Sequence, residues 1–358
     1  MSSVMEQDEK CSVKGKIKCI FQPRVVQSTS GKRNDQMYKV VASEQISPDF
    51  ECYMNNEEEK CGVYASEKLD GTCCYIREFH GRPWLWARHD IKANKPAEKR
   101  FKAYQHAKNE HAVTNQGDDE KFPPFEWDME NDFKEAPDDW IAASGASRED
   151  ATPDDIGHIV GWVPVDPSLR QHLWHLSAVN LNDGTGLFLY DGCRKQEGNS
   201  TGASMELQVD DLQKHCGKTF ELIGTHVNAN PYKLGCKKSP IHMLVQHGEF
   251  KMAFPMTSEK WSHESLKAWF DGEVDGMVEG VVWHAQDGKM FKLHRHHLDL
   301  KWPLNDLRML SRSLRVDLHR YEGSVACRPN ALFEKLKTVD GKSFDNIDSL
   351  SKWLLDSC

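Results

Sequence analysis

A lysine, an aspartate and a glycine stand between two apolar runs, and this stretch constrains the fold more than any other. Lys68-Leu69-Asp70-Gly71 follows the apolar residues 63–65 and precedes residues 73–76. Such flanking runs favour strands, and Asp-Gly favours a turn between them. A lysine is a nucleophile only in its neutral form, which burial and neighbouring positive charge favour. Because K-x-D-G is short, a surface lysine at a strand corner and a nucleophilic lysine both stay open on this stretch alone.

Three more charged residues stand inside apolar, strand-like runs further along the chain. Glu221 lies within residues 220–224, Glu279 directly precedes Gly280-Val281-Val282, and Lys292 lies between Phe291 and Leu293. A single charge in a strand is usually a satisfied structural residue. Four of them, counting Lys68, predict a shared polar site in a cleft between sheets.

The last two charged residues flank Asp287-Gly288, which is a strong signal for a hairpin turn. A two-residue turn would pair Trp283 with Lys292. Side chains on a strand alternate between faces, so this register puts a set of residues on one face. The set is Glu279, Val281, Trp283, Lys292, His294 and His296.

The rest of the chain divides into predicted elements and domains. Strands are predicted near residues 17–21, 38–46, 73–79, 84–87, 161–165, 172–181, 186–190 and 220–224. Helices are predicted from Pro96, over 210–216, from the cap Ser262 to Gly272, and over 330–338 and 344–356. The domains are a flexible segment at 1–35, a main domain at 36–303 with an irregular, acidic, aromatic-rich insertion at 115–157, and a helical subdomain at 304–358.

The composition bounds the class of protein. Of 358 residues, 39% are hydrophobic and 28% charged, as in folded globular proteins, and no apolar run is long enough to span a membrane. The net charge of −9 argues against a protein that coats nucleic acid, although a local basic cleft is compatible with it. The first thirty residues contain no apolar stretch of the kind found in a secretory signal, and their acidic residues argue against a transit peptide. An intracellular protein of the cytoplasm or nucleus is therefore expected. Eleven cysteines without a C-x-x-C pair then predict reduced thiols and no structural zinc site.

In chain order, K-x-D-G, an apolar-flanked glutamate, E-G-V-V and a basic last strand resemble the covalent nucleotidyltransferases, which include ATP-dependent ligases and mRNA-capping enzymes. Glu67 before Lys68 is similar to the RNA-ligase branch, whereas DNA ligases and capping enzymes carry an arginine where this chain has Cys73. Longer strings resemble the animal ATP-dependent RNA ligases. These strings are residues 161–165, 221–225, 228–232, 294–298 and Trp302-Pro303.

The resemblance implies an α+β fold: a nucleotidyltransferase domain of mainly antiparallel sheets flanking a nucleotide cleft, with a small C-terminal helical appendage and no oligonucleotide-binding barrel. It implies ATP and Mg²⁺ or Mn²⁺ as cofactors. The implied partner is RNA with 5′-phosphate and 3′-hydroxyl ends, and the protein is expected to be a monomer without a membrane partner. The implied reaction passes through a lysyl-AMP intermediate and an adenylated RNA 5′-end.

The same resemblance assigns expected roles to individual residues. Lys68 is the catalytic nucleophile, and Glu279 holds the metal because carboxylate oxygens suit Mg²⁺. Glu67 would read the adenine edge and Glu221 would accept a hydrogen bond from a ribose hydroxyl. The residues expected to contact ATP are Glu67, Asp70, Arg88, Phe220, Glu221, Glu279, Lys292 and His294. Two alternatives stay open: Phe220 either stacks on adenine or belongs to the core, and Arg88 either holds ribose or phosphate or ends a surface strand.

The last motif departs from the family pattern, which has two lysines two positions apart. Here the second position is His294, which would hold phosphate as a cation only if its pKa were raised. The run His294-Arg295-His296-His297 also suggests a zinc site, with no third ligand nearby in the sequence.

Two other classes of function compete with an RNA ligase. A capping enzyme or DNA ligase usually carries an oligonucleotide-binding barrel after the last motif, and residues 304–358 are too few to form one. An inactive protein that binds RNA ends is the other alternative, and the presence of all four charged groups argues against it.

Overall fold

The computed structural model describes residues 13–27, 38–54, 63–114, 122–192, 204–253, 261–318 and 331–356. Its strands are β1 (Lys18–Cys19), β2 (Phe21–Gln27), β3 (Tyr38–Ile46), β4 (Tyr64–Lys68), β5 (Thr72–Phe79), β6 (Arg82–Arg88), β7 (Ile91–Lys92), β8 (Ile141–Ala142), β9 (His158–Ile159), β10 (Gly161–Pro164), β11 (Val179–Asn180), β12 (Thr185–Asp191), β13 (Ser204–Asp211), β14 (Thr219–Gly224), β15 (His242–Gln246), β16 (Lys251–Met252), β17 (Gly280–His284), β18 (Met290–His294), β19 (Ser313–Asp317) and β20 (Ser343–Phe344). Its helices are α1 (Pro48–Met54), α2 (Lys95–Thr114), α3 (Leu173–Ser177), α4 (His263–Gly272), α5 (Ala331–Lys337) and α6 (Ile347–Asp356). Within these ranges, no helix has the length and apolar character needed to cross a membrane.

Two sheets carry most of the described chain. The small sheet has the strand order β1-β18-β17-β4-β16, and the large sheet has the order β20-β19-β13-β12-β15-β14-β5-β6-β10-β8, with β11 beside β12. Most neighbouring strands are antiparallel; β1–β18, β12–β15 and β13–β19 are parallel. This arrangement confirms the prediction of an α+β chain with mainly antiparallel sheets.

The first predicted hairpin forms as expected. Strands β5 and β6 are antiparallel with Phe79 paired to Arg82, so His80 and Gly81 make a two-residue turn. Both turn residues have positive φ, 51° and 74°, which a primed hairpin turn requires. The predicted helices from Pro96 and from Ser262 are also present as α2 and α4, the latter with Ser262 as its N-cap.

The second predicted hairpin forms with a different register. Val282 pairs with Lys292 and Trp283 with Phe291, one residue away from the predicted pairing. The cause is the turn: Ala285 N–H donates to Lys289 O, so three residues separate the paired ends, and Gly288 adopts a φ of 83°. A one-residue shift exchanges the faces of a strand. The predicted face is therefore wrong for Val281 and Trp283, which are buried with Phe291 and Leu293 in the core under the sheet.

The C-terminal residues do not form a separate helical appendage. Strand β19 pairs in parallel with β13, from Ser204–Ser313 to Gln208–Asp317. The two predicted helices are present as α5 and α6. The buried stripe of α6, Ile347, Leu350 and Leu354, shares one hydrophobic core with strands β12 and β13 of the large sheet. The large sheet and its hydrophobic core thus continue across the boundary predicted at residue 304. The prediction of a separate helical subdomain at 304–358 is corrected accordingly.

Two other predicted segments differ from the structure. Residues 172–181 are not one strand: Leu173–Ser177 forms helix α3, and only Val179–Asn180 is a strand, β11. The segment predicted to be flexible contains β1, which pairs with β18, and β2, which pairs with β3. Residues 1–12 and 28–37 lie outside the described residues.

The predicted insertion is irregular over most of residues 122–157 and is attached to α2 by aromatic side chains. Phe101 of α2 packs on Trp127 and Phe125, with ring centroids 4.8 and 5.1 Å away. Trp140 is buried, and its indole N–H donates to the carbonyl of His89. Residues 115–121 lie outside the described residues.

Candidate active site

The turn between β4 and β5 carries the chain from the small sheet to the large sheet. Lys68 ends β4, and Gly71 lies against β14 of the large sheet. A Cβ at Gly71 would lie 2.4 Å from the carbonyl oxygen of Leu222 and 2.7 Å from Cγ of Glu221. No side chain fits in that space, so the glycine of K-x-D-G allows the corner to sit directly against Glu221.

Asp70 fixes the shape of this corner. Its carboxylate accepts hydrogen bonds from Asn228 Nδ2 at 2.7 Å and from Trp302 Nε1 at 2.8 Å. Its backbone N–H donates to the hydroxyl of Tyr232 at 2.8 Å. Asp70 was expected to contact ATP, whereas each of its carboxylate oxygens accepts a hydrogen bond from the protein. Its observed position is that of a buried anchor.

Lys68 forms an ion pair with Glu279 across two neighbouring strands. Lys68 pairs with Gly280 in the sheet, and its Nζ lies 2.7 Å from Oε2 of Glu279. A Cβ at Gly280 would lie 2.2 Å from the carbonyl oxygen of Leu293, so the E-G sequence lets β17 and β18 approach closely. The other Glu279 oxygen lies 3.5 Å from Nδ1 of His294.

Lys292 and His294 lie on the next strand, β18, and both are largely buried. Burial, together with the charges of Lys68 and Lys16, lowers the pKa of Lys292 to about 8. Burial, together with Lys68, Lys292 and His296, lowers the pKa of His294 far below its ordinary range. His294 is therefore neutral near pH 7 in this environment. The cationic alternative needed a raised pKa, and the structure gives the opposite direction.

Glu67 precedes the nucleophile candidate and points toward a different partner. It is buried, and its Oε2 lies 3.1 Å from Nη1 of Arg308, whose Nε in turn lies 2.8 Å from Asp275. Burial raises the pKa of the Glu67 carboxyl, and the charge of Arg308 opposes that rise. No sequence pattern identifies Arg308, which lies outside the predicted main domain.

Glu221 faces the cleft from the large sheet and has a histidine partner. Its Oε2 lies 3.0 Å from Nε2 of His247, and Nδ1 of that ring lies 2.8 Å from Oγ1 of Thr219. His247 directly follows β15, a strand that is not predicted from the sequence, and the histidine carries no pattern of its own.

Phe220 and Arg88 both contact other residues of the protein. Phe220 is fully buried between Phe188 and His215, on the sheet face opposite to Glu221. This decides the open alternative in favour of the core and corrects its place among the ATP contacts. Arg88 pairs with Asp90 at 2.5 Å and lies over the ring of Trp162.

A pocket opens between the two sheets at Lys68. Residues of β4 and β17 line one wall, and residues of β14 and β15 line the other. Its lining residues are Ile17, Ser66, Glu67, Lys68, Leu69, Glu221, Val245, Gln246, His247, Gly248, Glu249, Phe250, Val282, His284 and Met290. Three predicted site residues, Glu67, Lys68 and Glu221, thus share one pocket, and Glu279 and His294 adjoin it through the contacts of Lys68 and Glu279.

Metal-binding side chains gather at one place in the described part of the chain. Cys73, Glu221 and His247 each offer a ligand atom, and these atoms lie within 4.8 Å of one another. The rings of His294, His296 and His297 pack together with centroids 4.4 to 4.6 Å apart. Among the described residues, these histidines do not bring three ligand atoms together in this way, so the zinc alternative for this run gains no support.

Comparison with known proteins places the chain in a family. It matches the sequence model of the family described as RNA ligase 1 over residues 7–352. It is 39% identical to RNA ligase 1 of Danio rerio over 343 residues, which cover 94% of this chain and 96% of that protein. It is 37% identical to RNA ligase 1 of Rattus norvegicus over 345 residues, which cover 95% of this chain and 98% of that protein. These matches confirm the resemblance to animal RNA ligases, and the chain belongs to the RNA ligase 1 family.

Proposed function

We propose that this chain is an ATP-dependent RNA ligase that joins a 5′-phosphate to a 3′-hydroxyl through AMP bound covalently to Lys68. The observation that carries the proposal is the position of Lys68, which ends a strand inside the pocket and contacts Glu279 at 2.7 Å. Membership of the RNA ligase 1 family supports RNA as the substrate.

In the first step, the neutral amine of Lys68 attacks the α-phosphorus of ATP. A P–N bond forms, the bond to the bridging oxygen breaks, and pyrophosphate leaves with the electron pair while Nζ loses a proton. Glu279 holds Nζ at the pocket wall before the attack, which limits the positions that the nucleophile samples.

In the second step, an oxygen of the RNA 5′-phosphate attacks the phosphorus of lysyl-AMP. The P–N bond breaks, Nζ regains a proton, and the RNA carries AMP on its 5′-end. In the third step, the 3′-hydroxyl attacks the RNA 5′-phosphorus, loses its proton and displaces AMP. Both steps break one bond and form one bond at phosphorus, and the active-site lysine returns to its starting form.

Lys292 supplies positive charge for the first step. Its ammonium lies on the strand next to β17, and a triphosphate bound there would favour the cation over the neutral amine. The attraction is strong because the side chain is largely buried, where screening by water is weak. His294 contributes no charge near pH 7 and serves instead as a neutral neighbour of Glu279.

The Glu279 carboxylate suits a hydrated divalent metal. Mg²⁺ and Mn²⁺ suit oxygen ligands, and Mg²⁺ is commonly held by one or two carboxylates together with water and substrate phosphates. Oε2 of Glu279 contacts Lys68, which leaves Oε1 as a candidate metal ligand. When bound, such an ion would neutralise charge on the phosphates.

The proposal is tested by incubating the full chain with α-labelled ATP or α-labelled GTP and running a denaturing gel. Covalent label from ATP alone is expected, and Lys68→Ala should abolish it. Lys99→Ala, an exposed lysine on α2, is the matched control and should label as wild type does. Preferential labelling by GTP would indicate a capping-type enzyme, and an unlabelled but RNA-binding wild type would indicate the inactive alternative. Either result would contradict the proposal.

A further inference from the structure

Three side chains of different chemistry converge beside the nucleotide pocket. Cys73 on β5 pairs with Glu221 on β14, and Glu221 pairs with Val245 on β15, two residues before His247. Directly opposed residues on neighbouring strands point to the same face of a sheet. The register of the large sheet therefore holds the thiol, the carboxylate and the imidazole together, with their ligand atoms within 4.8 Å of one another.

The chemistry of this donor set distinguishes it from a magnesium site. A thiolate and an imidazole are ligands that zinc binds well, whereas Mg²⁺ prefers oxygen alone. Three protein ligands around zinc leave a fourth position for water or another molecule. All three residues are partly exposed, so an ion can enter from the pocket side.

The histidine is oriented by a second residue, as metal-binding histidines usually are. Nδ1 of His247 lies 2.8 Å from the hydroxyl of Thr219, and Nε2 points toward Glu221 at 3.0 Å. Without a metal, Nε2–H donates to Glu221 and Nδ1 accepts from the Thr219 hydroxyl. In the other tautomer, Nδ1–H donates to Thr219 and Nε2 presents its lone pair to an ion. Binding then replaces the hydrogen bond between Nε2 and Glu221 by two bonds to one metal.

We propose that Cys73, Glu221 and His247 form a binding site for one zinc ion, with a fourth position open to solvent. The bound ion withholds the Glu221 carboxylate from the ribose hydroxyl, so zinc opposes nucleotide binding. This consequence rests on the proposed function, whereas the binding site itself does not.

The binding test uses Co²⁺ as a spectroscopic probe on the full chain without nucleotide. Wild type should show a thiolate-to-cobalt charge-transfer band that zinc displaces. Cys73→Ser should lose the band, and zinc affinity should fall roughly tenfold or more in Cys73→Ser and in His247→Gln. Cys236→Ser, an exposed cysteine elsewhere, is the matched control, and His297→Gln tests the other histidine-rich region beside Cys19. Both controls should retain the band and the affinity.

A second measurement does not depend on a variant that folds. Zinc should protect Cys73 from alkylation in wild-type protein, as read by mass spectrometry of its peptide, and should leave Cys236 reactive. An unchanged cobalt band in Cys73→Ser, or equal alkylation of Cys73 with and without zinc, would overturn the site.

The link to the nucleotide is tested separately. Zinc added beside excess Mg²⁺ should slow formation of enzyme-AMP in wild type and should slow it less in Cys73→Ser. Equal inhibition of the two proteins would overturn the link. A wild type that forms no enzyme-AMP without zinc is a failure of the proposed function, and the cobalt and alkylation results would still decide the site.

Discussion

The two walls of the pocket differ in what they hold. The wall from the small sheet carries Lys68, which forms an ion pair with Glu279 at 2.7 Å. Lys292 lies in the same sheet on β18, two strands away from Lys68. The wall from the large sheet carries Glu221, which is fixed by His247 and lies tight against Gly71. Under the proposed function, the charges that act on the phosphates come from the small sheet, while the other wall and the corner between them set positions.

If this division is right, removing the charge of Glu279 should have the largest effect among the residues around Lys68. Glu279→Gln keeps the size of the side chain but replaces a charged partner by a neutral one. We expect a fall of about a hundredfold or more in the rate of enzyme-AMP formation, as for other preorganised electrostatic groups. The melting temperature should stay close to that of wild type. Glu264→Gln, on the exposed side of α4, is the control, and a fully active Glu279→Gln would show that the ion pair is only structural.

Lys292 should show the second largest effect, and its effect should depend on pH. Below its pKa of about 8, Lys292 is a cation and attracts the triphosphate; above it, the neutral form predominates and the attraction falls. ATP affinity should therefore weaken as pH rises through that value, measured by calorimetry with an ATP analogue whose α–β bond cannot be cleaved, which prevents reaction and keeps the charge of Lys68 in place. Lys292→Arg should keep its charge and flatten the profile. Parallel profiles for the two proteins would assign the pH dependence to another group.

Substitutions at the corner between β4 and β5 should act by moving Lys68 rather than by changing the charge of the site. Trp302→Phe removes one of the two side-chain donors to the Asp70 carboxylate, and hydrogen bonds to charged groups contribute about 1.5 to 3 kcal/mol. We expect a loss of stability in that range and a slower first step with little change in ATP affinity. Trp84→Phe, whose indole donates to the neutral carbonyl of Val165, is the matched control and should lose less. Equal losses of unfolding free energy in Trp302→Phe and Trp84→Phe, measured in urea, would show that the hydrogen bond to Asp70 has no special role.

His294 should show the smallest effect of the four. It occupies the place of the second lysine in the family pattern, but its surroundings disfavour the cation. His294→Gln should leave the rate of enzyme-AMP formation within about threefold of wild type, since only neutral packing beside Glu279 changes. A drop as large as that of Glu279→Gln would give His294 a direct role in the chemistry.

The charged residues of the site were predictable because each interrupts an apolar run. A strand that buries a charge is uncommon unless the charge has a partner, and this made Lys68, Glu221, Glu279 and Lys292 visible in the sequence. Lys68 and Glu279 are 211 positions apart in the chain. The order of motifs predicts a shared site for them, whereas their direct contact is visible only in the structure.

The wrong predictions concern residues whose position depends on the length of a turn or on pairing with a strand far away in the chain. One additional turn residue at Gln286-Asp287-Gly288 exchanged the faces assigned to β17, although both strands were correctly predicted. The sequence of β19 contains charged residues and gave no clear strand signal, and its pairing with β13 depends on a contact more than a hundred residues away. Partners such as His247 and Arg308 become visible only when the sheets are assembled.

The most direct test of the central claim is to locate the covalent AMP. Wild-type protein is incubated with ATP and a divalent metal, digested, and mapped by tandem mass spectrometry under conditions that preserve the phosphoramidate. The account predicts AMP on Nζ of Lys68, with the other lysines of the pocket region, Lys251 and Lys292, unmodified. AMP on Lys292 or Lys251, or labelled protein in which Lys68 carries none, would contradict it.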